Sequence, residues 1–330
     1  MQVARFARDL DRLIPPLPGE EENPQDGRGN ALGATLGVAV SGGPDSLALL
    51  LLAHAARPGT IAAATVDHGL RATARAEAEQ VAAICAGLGV PHRILAARWT
   101  RPPTANVQAR ARHERYALLA EWATAEGLGA VATAHHADDQ AETLLMRLAR
   151  GSGLGGLGGA RAARPLGADS RLIRPLLGWR KAELVAVVAA AGLTAVEDPA
   201  NSDPRHDRAR VRQWLAENPA LDPLRLAASA AWLREADAAL EWVSADLAAR
   251  RLGHHADGIM IDPAGLPPEL QRRLLLTAFA MLKAPSPAGP DLARALTALR
   301  AGRTVTLSGL KLTPGDDWHV GPAPPRARRC

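Results

Sequence analysis

The sequence predicts an α/β fold with a parallel sheet, followed by a smaller, mainly helical C-terminal domain. In the first half of the chain, short apolar runs alternate with helical runs of a dozen or more residues, a pattern typical of βαβ units. A glycine-rich turn joins the first strand to the first helix of this series. After Asn218-Pro219 the composition shifts and helical patterns dominate. We therefore expect an N-terminal segment (1–30), an α/β domain (31–219) and a mainly helical domain (220–330).

The α/β region begins after a short amphipathic helix at residues 1–14 and a proline- and acid-rich stretch, Pro15–Gly29, which predicts a mobile loop. Four strands are expected, at Leu36–Val40, Ile61–Val66, His92–Leu95 and Ala130–Thr133. Helices are expected at Ser46–Ala56, Ala74–Leu88, Thr104–Glu126 and Asp138–Leu148. In such sheets, ligands bind at the carboxyl ends of the strands.

The rest of the chain reads mostly as helix. The glycine-rich segment 150–159 follows no strand and opens no helix, so it predicts a mobile flap instead of a second nucleotide loop. Helices are expected at Lys181–Ala191, from the end of the polar loop Glu197–His206 through Trp214, and at 222–251, 264–283 and Asp291–Leu299. A small hairpin is expected at Thr304–Leu312. No internal repeat is apparent.

The composition excludes several classes of protein. Hydrophobic residues make up 47% of the 330 residues, which is ample for a core. The two cysteines, Cys85 and Cys330, lie too far apart in the sequence for a CxxC pair or a zinc spacing. The first residues show no signal-peptide core, and no uncharged apolar stretch approaches the ~20 residues of a membrane span. We expect a cytoplasmic protein in a reducing compartment, with no membrane partner.

The formal charge of +5 comes almost entirely from arginine, because only Lys181, Lys283 and Lys311 are lysines. The planar arginine fork pairs with phosphate, so the bias is compatible with RNA binding. A GC-rich genome would produce the same bias, and the many alanines agree with that explanation.

The segment Ser41-Gly42-Gly43-Pro44-Asp45-Ser46 is the most informative motif. It lies between a strand and a helix start, where glycines permit close approach of an oxyanion and the first helical N–H groups point outward. Pro44 suits a first helical position. The two serines and the aspartate favour a phosphate site over a plain turn. No lysine follows, so it is not a GxxxxGK[ST] loop.

Acids and histidines follow two of the predicted strands. Asp67-His68-Gly69 comes after the second strand, and Thr133–Thr143, with two histidines and three acids, comes after the fourth. Helical spacing places Asp138 and Glu142 on one face and Asp139 and Thr143 on the next. Such a cluster could hold a transition metal. The nearby phosphate loop favours Mg²⁺, which takes one or two carboxylates plus phosphate oxygens.

Two arginine groups stay ambiguous when taken alone. Arg112 and Arg115 are i, i+3 neighbours on a helix, which also describes a solvated basic face. The later stretch, from Glu197 through Arg208, Arg210 and Arg212, is equally open.

The motifs taken in order carry a resemblance to a known family. SGGPDS resembles the PP-loop of ATP pyrophosphatases, a Rossmann-like fold of the adenine nucleotide alpha hydrolase type. The series SGGPDS, DHGLR, ARHERY, TAHHADDQAET, RGSG, IRPLL and EDPANSDPRHDRARVR resembles the tRNA(Ile)-lysidine synthetases. The similarity covers residues 34–215, and more loosely the region to about 312.

The resemblance implies an ATP-dependent ligase that joins lysine to the wobble cytidine of a CAU-anticodon tRNA(Ile). ATP would bind at Ser41, Gly42, Gly43, Pro44, Asp45 and Ser46, with Asp45 as the Mg²⁺ ligand. The catalytic residues would be Asp45, Arg112, His135, Asp138, Asp139 and Glu142. The substrate contacts would be Arg112, Arg115, Asp198, Asn201, Arg208 and Arg212, with Arg210 as a further backbone contact.

The expected partners are tRNA(Ile) and L-lysine, with a homodimer as an open possibility. Longer family members carry a further domain, so this chain is expected to select its tRNA mostly through the anticodon stem-loop and its own helical C-terminal module. One alternative is another PP-loop enzyme such as a tRNA thiolase. Thiolases generally use a reactive cysteine, whereas Cys85 lies in a predicted apolar helix. Amide-transferring relatives need a glutaminase domain, and none is evident in this sequence. The other alternative is a non-catalytic RNA-binding protein.

Overall fold

A computed structural model describes residues 1–14, 36–69, 74–97, 99, 106–196 and 207–324. The chain forms two compact units: the first comprises Met1–Arg147 and Gly159–Ala230, and the second comprises Leu148–Gly158 and Ala231–Cys330. The predicted boundary near residue 220 stays a prediction. The Pro15–Gly29 stretch and the Glu197–His206 loop lie outside the described residues. No helix in the described ranges is long and apolar enough to cross a membrane.

The first unit contains a six-stranded sheet in the order β3-β2-β1-β4-β6-β5. Its strands are β1 (Leu36–Ala39), β2 (Ile61–Asp67), β3 (His92–Ala96), β4 (Ala130–Ala132), β5 (Ala163–Pro165) and β6 (Arg171–Ile173). All neighbours pair in parallel except β5, which runs antiparallel to β6. The parallel-sheet prediction is confirmed. The short strands β5 and β6 were not predicted, because each contains an arginine and neither lies in an apolar run like the one that predicts the equally short β4.

The helices connect these strands and continue the chain. Those that begin before residue 220 are α1 (Gln2–Asp11), α2 (Pro44–Ala56), α3 (Ala74–Gly87), α4 (Val107–Ala125), α5 (Ala137–Ala149), α6 (Leu154–Leu157), α7 (Lys181–Ala190) and α8 (Asp207–Glu217). The long helix α9 (Pro223–Arg251) follows. Pro44 is the first residue of α2, as its fixed φ angle and missing N–H predict.

Side-chain alternation along the central strands builds two cores, one on each sheet face. Leu36, Val38 and Val40 join the core that includes α1, α2 and α7, while Ala39 joins a second core around Trp122 of α4. The second face carries small residues because the indole of Trp122 lies against it. A Cβ on Gly37 would be 2.7 Å from the Trp122 ring.

The second unit packs helices on a five-stranded antiparallel sheet in the order β7-β8-β11-β10-β9. Its remaining elements are β7 (Leu252–His255), β8 (Gly258–Ile261), α10 (Pro268–Met281), α11 (Gly289–Arg300), β9 (Val305–Leu307), β10 (Leu310–Thr313) and β11 (Trp318–Pro322). The predicted hairpin is confirmed as β9–β10. It is part of a larger sheet, which the dominant helical pattern concealed.

The glycine-rich segment 150–159 differs from the predicted flap. It contains the single helical turn α6, and the Gly158 carbonyl accepts a hydrogen bond from the Arg234 guanidinium. A Cβ on Gly155 would be 3.0 Å from a carboxylate oxygen of Asp237, and one on Gly158 would be 3.0 Å from Cβ of Arg234. These glycines therefore permit close packing against α9.

We expect Gly37→Ala to lower the free energy of unfolding by about 1–3 kcal/mol, because the added methyl group overpacks the sheet against Trp122. The matched control is Gly87→Ala at the end of α3, where a Cβ meets nothing within 4 Å. Urea denaturation followed by circular dichroism measures both variants. Equal stability of the two would contradict the packing at Gly37.

Candidate active site

The loop after β1 forms a closed hydrogen-bonded turn. Oγ of Ser46 accepts the backbone N–H of Ser41 at 3.0 Å, donates to the Gly43 carbonyl at 2.9 Å and lies 3.2 Å from Oγ of Ser41. Gly42 has φ +86°, a conformation that side chains rarely adopt. The first N–H groups of α2 follow directly, so backbone donors and the helix dipole face one point. This arrangement can hold a phosphate.

Asp45 and His136 connect this loop to the residues after β4. Because β1 and β4 are parallel neighbours, their carboxyl ends lie side by side. Nε2 of His136 is 3.5 Å from Oδ2 of Asp45 and 3.7 Å from Oδ2 of Asp139, and the imidazole is only 1% exposed. Burial alone would lower the pKa of His136, but Asp138, Asp45 and Asp139 outweigh it and raise the pKa to about 9.

Asp138 is held by the first residues of α7. Oδ2 of Asp138 accepts the Lys181 N–H at 2.8 Å, and the Arg180 guanidinium lies 3.3 Å from both carboxylate oxygens. Burial opposes ionisation of Asp138. Its pKa nevertheless lies well below the usual range, because His136, the Lys181 N–H and Arg180 stabilise the carboxylate. Asp138 therefore stays ionised at neutral pH.

Glu142 and Asp139 are paired with arginines of α8. Nε of Arg208 lies 2.6 Å from Oε2 of Glu142, and its Nη2 lies 2.6 Å from Oδ1 of Asp139. Nε of Arg212 lies 2.7 Å from Oε1 of Glu142. Glu142 is only 1% exposed, and both of its oxygens accept charge-assisted hydrogen bonds. Burial lowers the pKa of Arg208, but Asp139, Glu142 and Asp45 more than offset it.

A cavity of about 390 Å³ opens between these helices in the first unit. Its lining includes charges of both signs, three carboxylates and three cations: Asp138, Glu142, Asp222, Arg180, Lys181 and Arg212. The volume falls in the range of small-molecule sites. A lining with both charges suits a zwitterionic ligand.

A separate cluster of arginines surrounds Tyr116 on α4. The guanidinium carbons of Arg112 and Arg164 lie 5.1 and 4.5 Å from the centre of the Tyr116 ring. Arg115 and Arg174 belong to the same group, since their charges act on Tyr116 and on each other. Arg174 is 3% exposed, and its Nε is buried without a hydrogen-bond partner within the described ranges. We call these four residues the arginine cluster.

The arginine cluster carries uncompensated positive charge. None of its four members forms an ion pair with a carboxylate of the described part of the chain, although other arginines do so repeatedly. Burial is the main effect that lowers the pKa of Arg115; Tyr116 opposes it, and the weaker effects of the Arg112 and Arg174 charges add to the lowering. Arg174 is buried, Arg115 and Arg164 are half-buried and Arg112 is exposed. Like charges that are partly removed from water without counterions are costly, so the cluster fits an anionic ligand.

His135 lies beside this cluster instead of among the acids. Its Nδ1 is 3.1 Å from Oγ1 of Thr133. Burial, followed by the charges of Arg174 and other arginines, lowers the pKa of His135 to about 2, so the imidazole is neutral at pH 7. The adjacent His135 and His136 thus occupy opposite electrostatic environments.

The structure divides the predicted residues between the two charge environments. Asp45, Asp138, Asp139 and Glu142 meet near the phosphate loop, Arg208 and Arg212 are bound to these acids, and Arg112, Arg115 and His135 lie in or beside the arginine cluster. Arg210 pairs with Asp207 on the same helix. Asp198 and Asn201 fall outside the described residues, so their predicted roles stay predictions.

The sequence reasoning did not assign roles to several residues of this region. Arg174 stands in the quoted IRPLL motif and Tyr116 in ARHERY, so those motifs held a signal that could have been followed. His136 belongs to the predicted acid and histidine cluster of Thr133–Thr143, but no role was predicted for it. Arg180 and Asp222 carry no motif, and only the packing of α7 and the start of α9 brings them to the cavity.

Comparisons with known proteins identify the family of the chain. A family model described as a PP-loop domain matches residues 23–218. A protein named tRNA(Ile)-lysidine synthase from Novosphingobium aromaticivorans is 52% identical over 298 residues, which cover 87% of this chain and 88% of that protein. The chain belongs to the tRNA(Ile)-lysidine synthase family. A second relative of the same name, from Zymomonas mobilis, is 43% identical over 90% of this chain and 91% of its own length.

Among solved structures, the U34-tRNA thiolase of Methanococcus maripaludis with its [4Fe-4S] cluster matches with a TM-score of 0.54. It is 17% identical, and the match covers 71% of this chain and 79% of the thiolase. This likeness confirms the fold of the lysidine synthase family member without bearing on its chemistry.

We expect Arg115→Met to raise the free energy of unfolding by roughly 0.5–2 kcal/mol, because it removes one of several neighbouring like charges. Added inorganic phosphate should stabilise the wild type more than the variant. Urea denaturation with and without phosphate measures both effects. The control is Arg110→Met, which removes an exposed charge of the same helix. A destabilised Arg115→Met protein, with Arg110→Met unchanged, would show that Arg115 has a counterion.

Proposed function

We propose that this chain is a ligase that uses ATP to join L-lysine to C2 of the wobble cytidine of a CAU-anticodon tRNA(Ile). In the first step, the C2 carbonyl oxygen attacks the α-phosphorus of ATP and pyrophosphate leaves. In the second, the ε-amine of lysine attacks C2 and AMP leaves with that oxygen. The observation that supports this best is a phosphate loop that is linked through Asp45, His136 and Asp138 to a cavity lined by both charges, in the same unit as the arginine cluster.

ATP would bind with its phosphates on the Ser41–Ser46 loop, where backbone N–H groups and the dipole of α2 stabilise negative charge. Asp45 fits the role of a Mg²⁺ ligand, because its Oδ1 is buried and has no hydrogen-bond partner among the described side chains and backbone. When bound, the ion would neutralise charge on the departing pyrophosphate. His136, charged and buried against Asp45, would hold that carboxylate in place.

Lysine would occupy the cavity lined by Asp138, Glu142, Asp222, Arg180, Lys181 and Arg212. Free lysine carries one carboxylate and two ammonium groups, and the lining offers cations and carboxylates for both. The low pKa of Asp138 suits a partner that stays ionised beside an ammonium group instead of taking its proton. Arg212 or Arg180 would pair with the α-carboxylate.

The RNA would meet the arginine cluster, where a phosphate of the anticodon loop offsets the charges of Arg115 and Arg174. The wobble base must leave its stack to reach the α-phosphorus. Phosphate binding would also weaken the positive field at His135 and raise its pKa. The neutral imidazole of His135 is then the group best placed to accept a proton in this environment.

The alternatives receive less support. Burial raises the pKa of Cys85 to about 11, so its thiol is protonated at neutral pH and is a poor sulfur carrier for a thiolase. A non-catalytic RNA-binding protein would not need a buried, unpaired oxygen on Asp45 beside a phosphate loop. The homodimer and the cytoplasmic location stay predictions.

We expect Asp45→Asn to lower the rate of tRNA adenylation by at least about 100-fold while tRNA affinity changes less than about threefold, because charge at the metal site is lost. Lysine-independent AMP transfer to a CAU-anticodon tRNA(Ile) transcript measures the rate, and filter binding measures the affinity. A variant that unfolds, or one that keeps wild-type adenylation, contradicts this role of Asp45.

We expect Asp222→Asn to raise KM for lysine about 3–10-fold with KM for ATP unchanged, because a partly exposed charge partner is removed. The asparagine oxygen can still accept the Leu224 N–H at the start of α9, so folding is preserved. Glu217→Gln is the control, since Glu217 is exposed and pairs with Gln213 outside the cavity lining. A rise in KM for ATP alone would place lysine elsewhere.

A further inference from the structure

Three side chains of the second unit converge on one point of its sheet. Nδ1 of His255 lies 2.9 Å from Oδ1 of Asp257, and Nε2 of His319 lies 3.0 Å from the same oxygen. The three atoms lie within 4.8 Å of one another. None of these residues takes part in the proposed lysine ligation.

The strand register explains the convergence. β8 lies between β7 and β11, where His255 pairs with Gly258 and His319 pairs with Met260. Gly258 and Met260 are two residues apart along β8, so the two histidines that pair with them lie on the same face of the sheet. Ile259 lies between these two residues of β8, and its side chain is buried in the core on the opposite face. The histidines therefore lie on the face opposite the core.

Two glycines leave the space that the His319 ring occupies. A Cβ on Gly258 would be 2.9 Å from Nε2 of His319, and a Cβ on Gly321 would be 2.8 Å from Cε1 of the same ring. The imidazole lies over these two bare positions, with Nε2 directed at Asp257. His319 is correspondingly the least exposed of the three. The backbone thus fixes the direction of one donor before any ligand binds.

We propose that His255, Asp257 and His319 bind a first-row transition-metal ion such as Zn²⁺, with a water in the open position. Two imidazole nitrogens with one carboxylate oxygen form a donor set for Zn²⁺ and its neighbours, and differ from the all-oxygen sets of Mg²⁺ and Ca²⁺. Ligands about 2.0–2.1 Å from a tetrahedral ion lie about 3.3 Å apart, so small movements of the side chains accommodate it.

The ion would stabilise the edge strand β7. β7 is the edge strand, and its residues after Leu252 are exposed. An ion shared by β7, the turn before β8 and β11 would hold this strand and turn in place, adding stability that depends on metal concentration. The competing explanation is a pair of hydrogen bonds to the Asp257 carboxylate, which at an exposed site contribute little.

The test uses untagged, EDTA-treated full-length protein in excess Mg²⁺, which occupies oxygen sites. Calorimetric titration with ZnCl₂ should show a site that raises Tm, and Co²⁺ should give a visible absorption band of a nitrogen- and oxygen-ligated ion. His255→Gln and His319→Gln should each weaken Zn²⁺ binding at least about tenfold. The control is His254→Gln, because His254 pairs with Ile259 and lies outside the group.

Wild-type protein without a Co²⁺ band, or equal Zn²⁺ affinity in the wild type and the His255→Gln/His319→Gln double variant, would overturn the proposal. An equal loss in His254→Gln would overturn it as well. The Tm of each variant without metal verifies folding. Because no tRNA, lysine or ATP is present, the outcome is independent of the proposed ligase activity.

Discussion

The parallel pairing of β1 with β4 is the constraint on which the proposed site depends. The Val38↔Ala132 register brings the residues after both strands to one edge of the sheet. A phosphate loop follows one strand and an acid-rich helix follows the other. The chain reverses its direction of travel across the sheet between these two strands, which is where open α/β sheets bind ligands. The 3.5 Å approach of His136 to Asp45 is the direct result of this pairing.

Near this edge of the sheet, carboxylates that are paired with arginines are separate from arginines that have no carboxylate partner among the described residues. The acids of α5 are neutralised by Arg180, Arg208 and Arg212, so the charges lining the cavity proposed for lysine are close to balanced before any ligand binds. A cationic substrate must therefore compete with a guanidinium, or rearrange it, to reach Glu142. The arginine cluster has no such compensation within the described residues, and the free energy of that imbalance is available for binding an anion.

The sequence predicted the central strands and their helices because short apolar runs alternate along the chain with helical runs of a dozen or more residues. It also predicted a glycine turn between a strand and a helix start at Ser41–Ser46, and the hydrogen-bonded loop lies there, whereas its phosphate binding stays a prediction. It did not predict β5, β6 or the full antiparallel sheet of the second unit, because these short strands lack the regular alternation with helices that marks β1 to β4. Short strands acquire their structure from pairing, which a single sequence does not display.

In the candidate site, the sequence likewise does not show the tertiary contacts that set the charge of single residues. His135 and His136 are adjacent and chemically identical in the sequence, yet burial among arginines lowers the pKa of one to about 2, and three carboxylates raise the pKa of the other to about 9. Spacing alone placed both in one acid cluster. The difference comes from Arg174 and Arg115 on one side and Asp45 on the other, residues that lie between about 20 and 90 positions away in the chain. A motif therefore identifies candidate residues, whereas the charge state of each one depends on its tertiary neighbours.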